Sequence, residues 1–392
     1  MPYKMKDLFI VSVFFGVIFF FGAAALLSND RASSQLEGRT LAKKPVADPD
    51  EMVSGEYFKK YDRYFSDQFP LRDKWIEGNA FIDKNVLAKN YIRGIYINDN
   101  GYMITPINPP NNGSSIVNIN KTMNSFSADL NRSNVKTYFA LVPNKSTMME
   151  KDLPDYIESH ANELTDKLLN GFSKDVRAID FREEMNTRME QENNLYFYTD
   201  HHWKPKAAYY AYERIVNEMS GDFPQIGNPV KKDYFEWKEH PAPFYGSEAR
   251  KTTEVNAAKA DTITLVNPKN EKEPLTVCYG GSCDKTFYDL DVLEAKDVYS
   301  NKYVTYMSGD VPEGIIKNPN VKNGLKVLIL KDSYANPMIQ FMARSFEETR
   351  LLDLRKHDNL DVNQYVLENG IDAVVFVHNI NSIVVTPAFL NL

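Results

Sequence analysis

Cysteine is nearly missing from this chain: two, Cys278 and Cys283, in 392 residues. That excludes a disulfide-rich scaffold, and no Cys or His pairs stand at zinc-ligand spacing. No glycine-rich phosphate loop and no internal repeat are present. The six histidines are scattered apart from the adjacent His201 and His202, and no metal centre is expected. Positive charge is in deficit, 46 Lys and Arg against 53 Asp and Glu, and the net charge of -7 offers no basic footprint for nucleic acid. What remains is an ordinary globular composition, 43% apolar and 25% charged, long enough for one large core and a smaller appendage. The 23 Tyr and 23 Phe suit either a carbohydrate-facing surface or an aromatic core. The two cysteines enclose Tyr-Gly-Gly-Ser, which in an oxidising compartment permits a small-loop disulfide; two unpaired thiols are the alternative.

Residues 8–27 form an uncharged apolar run, preceded by Lys4 and Lys6. Its length matches the roughly 20 residues of a bilayer-spanning helix. Lysines before the run keep the start of the chain in the cytoplasm and send the rest outside. A cleaved signal peptide, with Ala23-Ala24-Ala25 as the small-residue region, is the alternative, but the run exceeds the usual apolar core of such signals. The expectation is a single-pass membrane protein with an extracytoplasmic catalytic part, or a secreted one after cleavage.

Residues 1–30 are therefore read as start and anchor, 31–105 as a linker, helical segment and hairpin, and 106–392 as a catalytic domain. Residues 28–50 read as irregular. Aromatics between 57 and 65 fall at helical spacing, a second helix covers 74–86, and Asp99-Asn100-Gly101 turns a hairpin within 93–104. Helices are expected at 116–130, 153–169, 204–219 and from 338, and strands at 135–142, 176–181, 326–330 and 372–377. Continuous Val, Ile and Leu runs between helices indicate an α/β fold with a parallel sheet covered on both faces. Residues 221–322, rich in Pro, Gly, Asn and Lys, read as an irregular β-containing insertion.

In open parallel sheets the ligand crevice lies at the carboxyl ends of the strands. Lys145, Ser333 and His378-Asn379 all follow such ends. Ser333 closes an apolar run where a strand would give way to a helix, and Asp200-His201-His202-Trp203 supplies an acid and an imidazole at Asp-x-His spacing. Together these are the parts of a serine acyl-transfer site: Ser333 to attack, His202 to take its proton, Asp200 to orient the ring. His202 is preferred to His201, which points elsewhere in an extended segment. The Ser333 N–H is the first oxyanion donor, with Asn336 and Asn379 as side-chain candidates; Lys145, Trp203 and Tyr334 are candidate substrate contacts. Plainer roles remain open at this level. Asp332-Ser333 suits a helix cap, Asp200 can cap the helix starting at Pro205, Trp203 suits a core and Lys145 a solvated loop.

The Asp-His-His-Trp segment followed by a helix resembles the signature of the DHHW family, relatives of the alginate O-acetyltransferases with an SGNH-hydrolase-like fold. The resemblance covers most of the chain after the anchor: the stretch from Tyr57 ending Phe-Pro-Leu-Arg-Asp73, the Gly-Ile-Tyr-Ile…Gly-Tyr-Met-Ile104 hairpin, Val-Pro-Asn-Lys145, Asp200 to Trp203, and Lys-Asp-Ser333-Tyr. It implies Asp200, His202 and Ser333 as the triad of an enzyme that moves an acetyl group onto a polysaccharide hydroxyl. It also implies that no cofactor is bound and that a multipass membrane-bound O-acyltransferase supplies the acetyl group. A carbohydrate esterase with the same triad and a non-catalytic glycan-binding partner are the alternatives. Two departures stand out: Lys331 occupies the place of the glycine in Gly-Asp-Ser, and Ser308 and Asp310 replace residues of a Gly-Gly-Asn segment.

Overall fold

The structure is a computed structural model that describes residues 2–109, 116–192, 194–385 and 392. The chain divides into two units. The first, residues 1–92 with 250–256, opens with helix α1 (Pro2–Leu27), whose span from Lys4 is long and apolar enough to cross a membrane and, among its described residues, has none that is buried. It goes on to the amphipathic helix α2 (Glu56–Asp67) and to α3 (Arg72–Phe81). Between α1 and α2 the region expected to be irregular contains a short antiparallel ladder, Ser33–Ser34 with Arg39–Thr40.

The second unit, residues 93–249 and 257–392, is built on one eight-stranded sheet. Its strands are β1 (Lys136–Leu141), β2 (Val176–Asp180), β3 (Thr276–Tyr279), β4 (Ser282–Lys285), β5 (Glu313–Lys317), β6 (Lys326–Lys331), β7 (Glu348–Leu352) and β8 (Ala373–His378). Their spatial order is β4-β3-β5-β7-β6-β8-β1-β2. The five strands from β7 to β2 run parallel, and β5, β3 and β4 extend the sheet antiparallel.

The period-two geometry of a strand sorts each apolar run onto two faces. Val327, Ile329, Val375, Val377, Tyr138 and Ala140 pack on one side with α6 (Pro205–Met219). Leu328, Leu330, Val374, Phe376, Phe139 and Leu141 pack on the other with α4 (Ile116–Arg132) and α5 (Ala161–Asn170). Both faces are covered, which is why these strands read as unbroken apolar runs.

Three expectations are corrected. The helix expected from 153 starts only at Ala161, because Pro154 opens a turn and the Glu150 carboxylate accepts the first helical N–H groups of Ala161 and Asn162. Residues 276–317 are less an insertion than sheet, since they supply three of its strands. Strand β7 was missed because Glu348-Thr349-Arg350 lacks an apolar run; Arg350 pairs with Glu348 beside it at 2.6 Å. Cys278 and Cys283, on β3 and β4, are bonded to each other.

Candidate active site

Three neighbouring parallel strands, β6, β8 and β1, end at the same edge and deliver Asp332-Ser333, His378-Asn379 and Asn144-Lys145 there. Asp332 caps the short turn Ser333–Ala335 by accepting from the Tyr334 N–H at 2.8 Å. Its other oxygen accepts from the Asn379 N–H at 2.9 Å and the Asn379 amide at 2.7 Å, which ties the serine turn to the end of β8. The cap reading and the nucleophile reading are thus compatible: Asp332 is the cap, and Ser333 is left with its hydroxyl turned outward from the turn.

That hydroxyl meets the loop carrying Asp200 and His202. His202 Nε2 lies 2.7 Å from Ser333 Oγ, and His202 Nδ1 lies 2.5 Å from Asp200 Oδ1. Asp200 also accepts from the His202 N–H at 3.1 Å and the Ser247 N–H at 2.7 Å. Burial pushes the Asp200 carboxyl upward, but the charges of His202 and His201 and the donated N–H bonds outweigh it and hold the group well below the usual carboxylate range. Gly246 is required by close approach: a β-carbon there would overlap Asp200. His201 turns away, its Nδ1 2.6 Å from Ser247 Oγ and its side chain 45% exposed.

The loop itself is held from two sides. Residues 195–204 double back, with Tyr196 bridged to Trp203 and the Lys204 N–H donating to the Leu195 carbonyl at 2.8 Å. Asp261 accepts from the Tyr198 and Thr199 N–H groups at 2.9 and 2.7 Å. On the carbonyl side the Lys145 ammonium donates to Phe197, Tyr198 and Asp200 at 3.0, 3.2 and 2.8 Å and pairs with Glu248.

Lys145 is therefore corrected from a substrate contact to a buried clamp, with 0% exposure. Removing it leaves Glu248, whose carboxyl burial already pushes up, without its cation, and takes the Lys145 donor from the Phe197 and Asp200 carbonyls, while the Tyr198 carbonyl keeps the Met103 N–H. Lys145→Met is expected to cost about 3–5 kcal/mol in a urea unfolding curve, and adding Glu248→Gln to recover part of that loss.

Trp203 and Tyr334 are likewise corrected from substrate contacts to core. Both are fully buried; the Trp203 indole donates to the Tyr334 carbonyl at 2.8 Å and the Tyr334 hydroxyl to the His201 carbonyl at 2.5 Å. The Asn379 amide donates to Asp332 at 2.7 Å and so holds the cap of the serine turn. Asn336 closes the turn by donating its backbone N–H to the Ser333 carbonyl at 3.2 Å, while its side chain is directed to Lys331 and Asp310.

The two departures from the family pattern meet each other. The Lys331 ammonium, fully buried, donates to Asn336 Oδ1 at 2.8 Å and stands 3.4 Å from Asp310 Oδ1, while the Asn336 amide donates to Asp310 at 3.3 Å. Arg355 binds the other Asp310 oxygen at 2.8 Å. Asp310 follows Met307, Ser308 and Gly309, all in the left-handed region, a costly run of the kind held only where the surroundings fix it. A lysine in place of glycine is tolerated because the asparagine position has become its counter-charge.

Sequence reading missed Tyr303. Its ring stacks on His202, centroids 3.7 Å apart and planes within 8°, and its hydroxyl donates to the Ser333 carbonyl at 2.9 Å. Tyr303 opens the stretch to Asp310 that resembles the family segment ending Gly-Gly-Asn, but nothing in that stretch marks it as the ring against the imidazole. Among the described residues, the group able to gather round a metal is Asp200, His201 and His202, but the His202 nitrogens already face Asp200 and Ser333.

A parallel sheet with a serine at one strand end and an Asp-x-His loop folded over it is the arrangement expected from the motifs. Residues 108–273 match the family described as "SGNH hydrolase-like domain, acetyltransferase AlgX". PatB1 of Bacillus cereus is 27% identical, with a TM-score of 0.62 over 75% of this chain and 98% of that one. A second PatB1 structure, carrying a sulfonyl adduct, is 26% identical with a TM-score of 0.63 over 75% and 97%. A DHHW family protein from Eubacterium siraeum shares the fold at 24% identity, with a TM-score of 0.60 over 76% and 93%. No curated protein gives a significant sequence match. Residues 108–273 thus match an SGNH-hydrolase-like family, and the α/β architecture expected from the motifs is the one observed.

Proposed function

We propose that this protein is an extracytoplasmic O-acetyltransferase that carries an acetyl group on Ser333 and passes it to a polysaccharide hydroxyl. The observation that carries the reading is the unbroken relay from Ser333 Oγ through His202 to Asp200. His202 Nε2 takes the serine proton as Oγ attacks the donor carbonyl, and Asp200 stabilises the imidazolium that forms. The Ser333 N–H is the donor proposed for the oxygen that becomes charged, the Asn336 amide being directed to Asp310. The donor's leaving group departs with the proton from His202. A sugar hydroxyl then attacks the acyl-serine and gives its proton to His202, which passes it to Ser333 Oγ as the C–Oγ bond breaks, restoring the free serine.

The acceptor class rests on the resemblance to alginate O-acetyltransferases. Helix α1, as a retained anchor, would keep the enzyme beside a multipass membrane-bound O-acyltransferase and raise its local concentration there. No cofactor is needed for the two transfers. The sulfonyl adduct on PatB1 suggests a probe, because sulfonylating reagents react with activated hydroxyls. An aromatic sulfonyl fluoride is expected to add once to this protein, on Ser333 by peptide mass mapping. The activity test offers the purified full chain an activated acetyl ester with and without the cell's own exopolysaccharide. Acetyl groups appearing on the glycan support transfer. Release of free acetate at a rate the glycan does not change would favour the esterase instead.

A further inference from the structure

The exit of α1 from its apolar span is fastened to the two helices that follow. Asp30 accepts from the Tyr64 hydroxyl at 2.8 Å, Arg31 pairs with Asp73 at 2.7 Å, and Arg31 and Gln68 exchange two bonds, at 2.9 and 3.0 Å. Above these polar ties runs a chain of rings. Phe21 of α1 stacks on Phe69 at 5.5 Å and touches Trp75 at 5.7 Å, and Phe69 in turn meets Phe65 at 5.9 Å. Phe21 lies six residues before the end of α1, about 9 Å at 1.5 Å per residue. Groups in contact with it share its depth, inside the boundary of any bilayer that α1 crosses.

The faces presented there are apolar and exposed: Phe58 is 61% accessible, Leu71 63% and Trp75 56%. In α2, Tyr57, Phe58, Tyr61, Tyr64 and Phe65 recur at helical spacing on one side, and Lys59, Lys60 and Arg63 occupy the other. Aromatic residues on one side with cations on the opposite side is the composition of a helix lying in a membrane interface, where rings settle at headgroup depth and cations meet anionic lipid. Left in water, so many clustered exposed aromatics would be an aggregation hazard.

We propose that α2 and α3 lie in the outer-leaflet interface of the membrane, with Trp75, Phe58, Phe65 and Leu71 in contact with lipid. This rests on reading α1 as a retained anchor, and its partner is the phospholipid surface itself.

The test uses the full chain in vesicles of phosphatidylcholine and phosphatidylglycerol, with and without bromine on the upper acyl chain. Tryptophan emission then reports contact, since the other two tryptophans, Trp203 and Trp237, are fully buried and partly buried against the core. Brominated lipid is expected to quench part of the emission of the wild type, and Trp75→Phe to lose that quenchable part. Emission untouched by bromolipid but quenched by iodide added outside the vesicles would overturn the proposal and leave this face to a protein partner. Alkaline carbonate extraction separates the two levels. Protein that stays with the vesicles but shows no lipid quenching sinks the interfacial placement alone. Release into the supernatant sinks the anchor reading and this placement with it.

Discussion

Ser333→Ala is expected to lower turnover of an activated acetyl ester by about 10^3- to 10^6-fold, down to what binding and oxyanion donors alone provide. The hydroxyl is small and accepts no bond that holds the turn together; Asp332, Asn379 and Tyr303 do that through the backbone and the cap. The thermal midpoint is therefore expected to stay within a few degrees of wild type. His202→Ala should match the loss, while His201→Ala, whose ring faces Ser247, should retain most activity. A larger loss at His201 than at His202 would mean that the relay runs through the other imidazole.

Asp200→Asn should reduce kcat by about 10^4-fold with little change in KM, the behaviour of a base whose ring has been given the wrong tautomer. Asp200 accepts three N–H bonds, one of them from His202 Nδ1. An amide offers one accepting oxygen and a donor, so the ring would be favoured with Nδ1 as acceptor and its proton on Nε2, where Ser333 needs a base. The pH dependence has a definite sign. Because the folded-state pKa of Asp200 is depressed, its contribution to stability is present above the unfolded value near 3.8 and is lost as pH falls through the folded one. The wild type therefore keeps this carboxylate ionised across the neutral and mildly acidic range. Loss of activity between pH 7 and 5 must come from another group, and an Asp200→Asn profile that moves along the pH axis without falling in height would contradict the role assigned here.

How far the sequence led depended on which physical pattern each feature uses. Strands β1, β6 and β8 were legible because burial on both faces leaves runs such as Val327-Leu328-Ile329-Leu330, and they place Ser333 and Lys145 at the same sheet edge. Asp200, His202 and Ser333 were legible through short-range spacing and residue chemistry. Strand β7 was not, since its charged residues are neutralised by a partner two positions away. The roles of Lys145 and Trp203 were misread because a polar or amphipathic residue in a loop gives no local sign of being buried; only the folded loop shows that Lys145 meets three carbonyls and Glu248. Tyr303 and Asp261 act across 30 and more residues on elements that sequence spacing does not join. Lys331 and Asp310 each looked like a flaw in a motif, and their contact turns two flaws into one substitution.

The most direct measurement is the intact mass of the protein, quenched in acid within the first turnover with an activated acetyl ester, followed by peptide mapping. One acetyl group on the peptide containing Ser333, absent in Ser333→Ala and retained longer when acceptor glycan is withheld, is the result expected of an acyl-serine enzyme. Acetylated glycan formed at the wild-type rate by Ser333→Ala, with no acyl group ever found on that peptide of the wild type, would contradict it.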